Sequence, residues 1–239
     1  MIKNKLLIGA LLVCGLFSAV AQEAEQEKDP SAVTTANSQI TEVRLDGFED
    51  ASFWKVAMPL EQGIISRQSR VGRPSDISSD EWNERDEKYG IPNVYSKEKV
   101  LGVKVEYMKR GYHWFSIKPQ KPIMIEGICQ EITVWVAGRN YNHTLKILLQ
   151  DFYGNSRQLY VDRLSFVGWK ELKVSIPESI IQRDFHFVDK QGIRFAGFLV
   201  ECDPVETYGT YYVYFDELRA LTDIFNEKTR DIDDMADDW

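Results

Sequence analysis

The sequence predicts an all-β domain in which two sheets pack face to face as a sandwich. Short runs of alternating apolar and polar residues recur along the chain, turn residues separate them, and few stretches show a helical period. Aromatic residues make up 12% of the chain, and they favour strands over helices. The alternating part of the chain, at roughly 180 residues, is long enough for one such domain.

Residues 1–21 are predicted to be a secretory signal peptide that precedes the fold. Two lysines give it a basic start, and an apolar stretch follows over residues 6–20. Ala19 and Ala21 place small residues at the two positions that a signal peptidase requires. A membrane anchor is disfavoured because about 15 apolar residues are short for a span of about 20. We therefore expect an exported protein with no membrane span in its mature part.

The mature chain divides into a polar arm, one folded domain and an acidic tail. Residues 22–40 are polar and are predicted to form a flexible arm. Residues 41–225 carry the strand pattern and are predicted to form the sandwich. Residues 226–239 contain an acidic run with three apolar residues interleaved, which is either a solvated tail or a segment that docks on a basic partner.

A long charged insertion is predicted to interrupt the domain over about residues 66–99. Three arginines, Arg67, Arg70 and Arg73, precede a group of acids, and no period of two residues is sustained. A loop of this length inside a compact domain is usually functional or disordered, so we expect the arginines to contact partners. The alternative is a solvated excursion with a short helix near Asp80–Tyr89, whose acids would favour its first turn.

Regular strands are predicted on both sides of this insertion. The first strand covers Glu42–Asp46. Beyond the insertion, Leu101–Tyr107 and Tyr112–Lys118 are predicted to form two strands joined by a hairpin turn. Six further strands follow, separated by turn signals: Glu131–Ala137, Thr144–Phe152, Arg157–Asp162, Trp169–Ile176, Ile193–Cys202 and Tyr211–Leu218.

The two faces of these strands differ in composition. One face is mostly apolar and is predicted to form the core. The other mixes aromatic and polar side chains, and we expect it to bind a sugar or a protein through Tyr112, Trp114, Trp135, Tyr212 and Tyr214. Aromatic rings give a large contact area at low entropic cost, and polar groups orient the partner. The alternative is that segment 66–99 covers this face and that the aromatic residues are ordinary core.

Two cysteines, Cys129 and Cys202, remain after the signal peptide is removed. In an exported protein they could form a disulfide bond. Alternatively, both are buried, reduced thiols that pack as small apolar side chains. The sequence leaves both readings open because it does not reveal the separation of the two Cα atoms.

No catalytic centre and no cofactor are predicted. The sequence lacks a Gly-x-Ser-x-Gly nucleophile motif and a glycine-rich phosphate loop. The three histidines lie far apart, and two cysteines cannot complete a zinc site. Carboxylates near the first and last strands could bind calcium, although turn formation is the simpler explanation for them: Asp46, Glu49, Asp50 and Asp216.

The charge balance restricts the partners that this protein can have. The formal net charge is −8 at pH 7, and it becomes −10 once the two lysines of the signal peptide are lost. A polyanion is repelled by such a chain, so we expect no nucleic-acid binding. Copies of the chain would also repel one another, so a multi-subunit coat needs other proteins between copies or local basic patches.

Long ordered segments of the chain resemble the FlaA family, the spirochaete flagellar filament outer-layer (sheath) proteins. The resemblance begins near Phe48–Trp54 and is carried mainly between residues 134 and 225. Its main segments are Val134–His143, Leu149–Gly154, Phe166–Lys170 and Gly209–Ala220.

The resemblance implies a non-enzymatic component of the periplasmic flagellum, exported by a signal peptide. It implies an assembled outer layer over a flagellin core, with flagellin and other sheath proteins as partners and with effects on filament curvature, stiffness and motility. The family's sandwich looks like the jelly-roll, galactose-binding type found in carbohydrate-binding modules. The alternative is a periplasmic carbohydrate-binding module that uses Trp114, Trp135, Tyr212 and Tyr214.

Overall fold

A computed structural model describes residues 40–74, 79–91, 98–184 and 187–224 of the protein. The predicted signal peptide, the predicted arm before Ile40 and the predicted acidic tail lie outside these residues. The described residues form strands β1–β13, one α-helix and one 3-10 turn at Ala51–Phe53. Their bounds are β1 Ile40–Asp46, β2 Trp54–Ala57, β3 Gly63–Val71, α1 Ser79–Lys88, β4 Lys99–Tyr107, β5 His113–Pro119, β6 Ile123–Glu126, β7 Ile128–Arg139, β8 Thr144–Gln150, β9 Ser156–Arg163, β10 Val167–Ser175, β11 Arg183–Asp184, β12 Phe187–Cys202 and β13 Thr210–Asp223.

The strands form two antiparallel sheets that pack against each other, which confirms the predicted all-β sandwich. The first sheet has the order β10-β7-β13-β4-β3, and β1 also pairs with β13. The second sheet has the order β2-β5-β12-β8-β9, and both β6 and β11 pair with β12. Strand β13 is central to the first sheet because β4 pairs with its first half and β1 with its second half.

The core lies between the sheets and is rich in aromatic rings. Phe48 stacks on Trp54 with ring centroids 4.7 Å apart, and Phe198 of β12 stacks on Phe215 of β13 at 4.9 Å. All four side chains are fully buried. Because burial of one large apolar side chain contributes about 1.5–3 kcal/mol, this cluster holds the two sheets firmly together.

The predicted strands are present, and several are longer than the sequence pattern indicated. Strand β7 begins at Ile128, β12 begins at Phe187, and β13 continues to Asp223. The extension of β13 has a tertiary cause, because β1 pairs with residues Leu218–Asp223 from the start of the domain. Such non-local pairing leaves no mark on local periodicity.

The prediction of a loop beginning near residue 66 is wrong at its start. Residues 63–71 form β3, which pairs with β4 in unbroken register from Gly63 opposite Tyr107 to Val71 opposite Lys99. Strand β3 is at the edge of its sheet, and most of its residues are exposed. Polar residues therefore occupy both faces, and the alternation that identifies a half-buried strand is absent.

A short helix, considered above as the alternative to a long loop, is present as α1. Asp80 and Glu81 lie in its first turn and Arg85 and Lys88 in its last, an arrangement that complements the helix dipole. The predicted insertion is therefore partly regular, and residues 75–78 and 92–97 lie outside the described part. Among the described residues, no helix is both long and apolar enough to cross a membrane.

Candidate functional site

The structure divides the five predicted partner-binding aromatic residues between the two sheets. Tyr112 precedes β5 and Trp114 lies on it, so both belong to the second sheet. Trp135 on β7, and Tyr212 and Tyr214 on β13, belong to the first sheet. The single mixed face expected from the sequence is therefore corrected to two surfaces on opposite sides of the sandwich.

The outer face of the second sheet carries an open groove of about 900 Å³. Trp114 is 45% exposed and Tyr112 is 88% exposed at one side of it. The polar side chains around the groove carry both signs of charge, and Lys146 pairs with Glu201 at 2.6 Å. Further residues that line the groove are Lys118, Leu148, Gln150, Arg157 and Leu199. This arrangement suits an elongated partner that combines apolar and polar groups.

Helix α1 covers part of the outer face of the first sheet, and this position corrects the prediction for Trp135. The Trp135 side chain is only 6% exposed because Trp82 of α1 packs edge-on against it, with ring centroids 5.9 Å apart. The alternative prediction, in which segment 66–99 covers this face, is confirmed at this position. Trp135 is therefore part of a small second core between helix and sheet.

One buried and two partly buried ion pairs hold α1 in place. The guanidinium of Arg219 on β13 lies 4.9 Å from the Trp82 ring centre and donates to Asp86 of α1 at 2.7 Å. Arg85 of α1 donates to Glu171 of β10 at 2.8 Å and to Glu42 of β1 at 2.9 Å. A buried pair need not stabilise the fold, but loss of one partner leaves an uncompensated charge. The network therefore specifies where the helix docks.

The other half of this face carries a group that we call the arginine–tyrosine patch: Arg70, Arg139, Tyr212 and Tyr214. Arg139 lies 5.6 Å from the Tyr214 ring centre, and Tyr212 is 40% exposed. A Cβ atom added to Gly102 would lie 3.1 Å from the Tyr214 ring and 3.3 Å from Cγ of Arg70. The absent side chain of Gly102 therefore lets Tyr214 lie across β4 towards Arg70.

The three predicted arginines do not form one basic surface. Arg70 lies on the patch face, whereas the Nε atom of Arg67 donates to the carbonyl of Ala51 at 2.7 Å. Arg73 follows the end of β3 and is exposed. Sequence reasoning missed Arg139, and no signal in the sequence pointed to it. Gly102 inside an apolar strand was a usable signal only for the close approach of Tyr214 and Arg70.

Of the two alternatives left open for Cys129 and Cys202, the structure has the second, because both are buried free thiols. Cys129 lies at the start of β7, and the other end of this strand, at Arg139, is about 33 Å away. His143 follows shortly after that far end and contacts the chain next to Cys202. The Asp203 backbone N–H, next to Cys202, donates to that His143 ring at 3.2 Å. The cysteines thus lie near opposite ends of the sandwich, beyond the Cα separation that a disulfide allows. Burial raises the pKa of each thiol to about 12.

His143, the more buried of the two histidines that the structure describes, belongs to a structural network. His143 is fully buried, and its ring accepts from the Asp203 backbone at Nδ1, so Nε2 carries the proton and donates to the Tyr107 hydroxyl at 3.0 Å. Tyr107 in turn donates to Sγ of Cys202 at 3.2 Å. Desolvation lowers the pKa of His143 to about 4, which keeps the ring neutral.

The carboxylates considered for calcium are engaged otherwise. Asp46 accepts from the Phe48 backbone at 2.5 Å, and Asp50 caps the 3-10 turn by accepting from Ser52 at 2.8 Å. Asp216 is buried, and desolvation together with Glu217 raises its pKa to about 8. Within the described ranges, no group of three His, Cys, Asp or Glu residues is placed to hold a metal ion.

Several solved structures of carbohydrate-binding modules are similar to this chain. TmCBM61, solved with β-1,4-galactotriose, is 14% identical with a TM-score of 0.41, and the match covers 76% of this chain and 99% of that one. The family 11 module from Clostridium thermocellum, solved with a mixed-linked tetrasaccharide, is 12% identical with a TM-score of 0.39, covering 77% and 96%.

Sequence relatives are flagellar proteins. A flagellar filament outer layer-like protein of Brachyspira hyodysenteriae is 37% identical over 218 residues, which cover 91% of this chain and 95% of that protein. The flagellar filament outer layer protein of Spirochaeta aurantia is 27% identical over 119 residues, 46% of this chain and 35% of the relative. Residues 20–231 match the sequence model described as FlaA, flagellar filament outer layer protein. The chain therefore belongs to the FlaA family of flagellar filament outer layer proteins.

Proposed function

We propose that this protein coats the flagellin core of a periplasmic flagellum as one subunit of a multi-subunit outer layer. The observation that carries the proposal is family membership over residues 20–231. The family is a structural one, which implies that the protein works by binding and not by catalysis. The predicted signal peptide at residues 1–21 supports export to the periplasm.

The groove on the second sheet is the surface that we assign to flagellin or to another sheath protein. Covering the exposed parts of Trp114 and Tyr112 removes on the order of 150 Å² of apolar area from water, which is about 4 kcal/mol. Exposed aromatic residues of this kind are typical anchors of protein interfaces. Lys118 and Glu201 at the groove would set the orientation of the bound protein.

A coat of such subunits would change the mechanics of the filament. The aromatic core makes each sandwich a rigid body, because tightly packed interiors resist deformation. Rigid bodies attached outside a core filament add bending stiffness, and attachment on one side changes curvature. This effect on shape is the proposed contribution to motility.

The test is a deletion strain whose isolated filaments are imaged by electron microscopy. We expect a core filament to remain, with altered curvature that returns on complementation. A complementing copy with Tyr112→Ala and Trp114→Ala should bind the filament weakly, whereas Tyr153→Ala, a 57% exposed tyrosine after β8, should bind normally. An unchanged filament shape, or filaments that contain none of this protein, would contradict the proposal.

A second candidate function is that of a periplasmic carbohydrate-binding module. The groove favours it because an exposed indole beside polar groups can stack on a sugar ring and bind its hydroxyls. Trp114 is the residue to test, since Trp135 is buried. Titration of the purified protein with a glycan panel should give saturable binding that Trp114→Ala abolishes. The absence of any heat or fluorescence change across the panel would exclude this function.

A further inference from the structure

The arginine–tyrosine patch is cationic on a protein that carries an excess of acids. Arg70 and Arg139 are both exposed, and they flank Tyr214 from strands β3 and β7. Across the part of the chain that the structure describes, neither guanidinium pairs with a carboxylate, whereas the half-buried Arg85 pairs with two carboxylates and the buried Arg219 with three. The patch therefore has unused capacity to bind anionic groups.

The chemistry of the patch defines what it can bind. Guanidinium groups bind carboxylates through two parallel hydrogen bonds. Arg139 and Arg70 are three strand spacings apart and are offset by four residues along the strands, so their Cα atoms lie about 20 Å apart. Tyr212 and Tyr214 lie between them and offer ring surface to apolar side chains. A matching ligand is an extended acidic peptide with apolar residues between its carboxylates.

The chain itself contains such a peptide. Residues 231–239 include five aspartates and no basic residue, with Ile232, Met235 and Trp239 placed among them. We propose that residues 231–239 of one copy dock on the arginine–tyrosine patch of a neighbouring copy. This inference rests on the proposed coat function and deepens it by naming the contact between subunits, and it explains how chains of net charge −10 after loss of the signal peptide can lie side by side.

The length of the chain favours a neighbouring copy over the same one. Tyr212 and Asp223 are eleven residues apart on β13, which corresponds to about 36 Å. The middle of the segment, Met235, is twelve residues beyond Asp223, so contact with Tyr212 of the same copy needs a nearly fully extended chain of at most about 43 Å, whereas a flexible chain of that length spans about 20 Å on average. Helix α1 also covers the half of the face between them. A contact that joins the two opposite ends of the sandwich is heterologous, so its repetition gives an open chain of subunits.

Photo-crosslinking of the purified protein tests this contact. The variant Tyr212→p-benzoylphenylalanine carries a photoreactive side chain at the patch. Copies labelled with nitrogen-15 are mixed with unlabelled copies before irradiation. We expect crosslinked peptides that join position 212 to residues 231–239, with mixed isotope labels. The matched control is Tyr153→p-benzoylphenylalanine, which should give no crosslink to that segment.

Charge variants identify the groups responsible. Two variants should each lower the crosslink yield about tenfold. The first carries Arg70→Glu and Arg139→Glu, and the second replaces all five aspartates of residues 231–239 by asparagine. Changing both arginines to Asp and the five aspartates to Lys should restore it. A control double variant, Arg194→Glu with Lys121→Glu, changes two exposed cations of the second sheet and its β5–β6 turn and should have no effect.

Three results would overturn the inference: crosslinks that never mix isotopes, crosslinks from position 212 to flagellin alone in intact filaments, or yields that ignore the charge variants. Because the main readout uses purified protein, its failure would leave the filament phenotype of the deletion strain as a separate test of the proposed function.

Discussion

Trp82→Ala should release helix α1 from the first sheet while the sandwich stays folded. The Trp82 side chain is 4% exposed, packs against Trp135 and lies under the guanidinium of Arg219. A ten-residue helix is not stable alone in water, so its position depends on this anchor and on its ion pairs. The change removes the anchor and leaves the pairs to hold the helix.

The expected magnitude follows from the buried area. A fully buried indole removes about 200 Å² from water, which at about 25 cal/mol per Å² gives about 5 kcal/mol. Measured Trp→Ala and Phe→Ala changes in cores cost about 3–5 kcal/mol. Because the loss is confined to the contact between helix and sheet, we expect it as a local opening of α1, which raises its amide exchange about 10² to 10³-fold.

Hydrogen exchange followed by mass spectrometry measures this directly. Peptides from α1 should lose protection in Trp82→Ala, while peptides from β12 in the second sheet should keep it. Trp82→Phe should retain most of the protection, and Trp114→Ala, which changes an exposed indole, should alter neither. Unchanged exchange in α1, or an equal loss of protection in both sheets, would refute the reasoning.

Three further predictions concern buried groups. The pKa of His143 is lowered to about 4 from 6.5, so between these pH values the unfolded chain binds a proton that the folded protein excludes. The contribution of His143 to the free energy of unfolding is therefore complete above pH 6.5 and falls by about 3 kcal/mol towards pH 4. His143→Gln should flatten this pH dependence in denaturation curves. Arg219→Met removes the buried cation that binds Asp86 and Glu217 and should lower the free energy of unfolding by about 3–5 kcal/mol in the same assay, and a loss below 1 kcal/mol would contradict this. Reductant should leave the Tm unchanged because Cys129 and Cys202 are free, and a lower Tm would reveal a bond between them.

The sequence predicted the strands that have one face in the core and failed on those that do not. In β4, Val103 and Val105 alternate with residues of the outer face, and the strand was located correctly. In β3, exposure on both faces removes the alternation, so a regular strand resembled a charged loop. The alternation of apolar and polar residues arises because one face of a strand is buried, and an edge strand with both faces exposed shows no such alternation.

The candidate site was less predictable because it depends on which strands share a sheet. Trp114 and Trp135 lie on consecutive long strands with the same pattern, yet the chain crosses between sheets from one to the other. Trp82 comes from a segment whose docking is fixed by ion pairs with β1, β10 and β13. Pairing over such distances along the chain is a tertiary property that no local pattern encodes.

The exposed edge at β3 has a consequence for the coat of neighbouring copies proposed above. Within the described residues β3 pairs only with β4, so the outward backbone groups of alternate residues along it are a template for uncontrolled strand addition and amyloid-like aggregation. Arg67 and Arg70 are three positions apart on β3, so their side chains lie on opposite faces of the sheet. A strand that paired with this edge would therefore place its side chains beside a positive charge on either face. Growth by backbone pairing is thereby penalised, and association is left to reversible side-chain contacts.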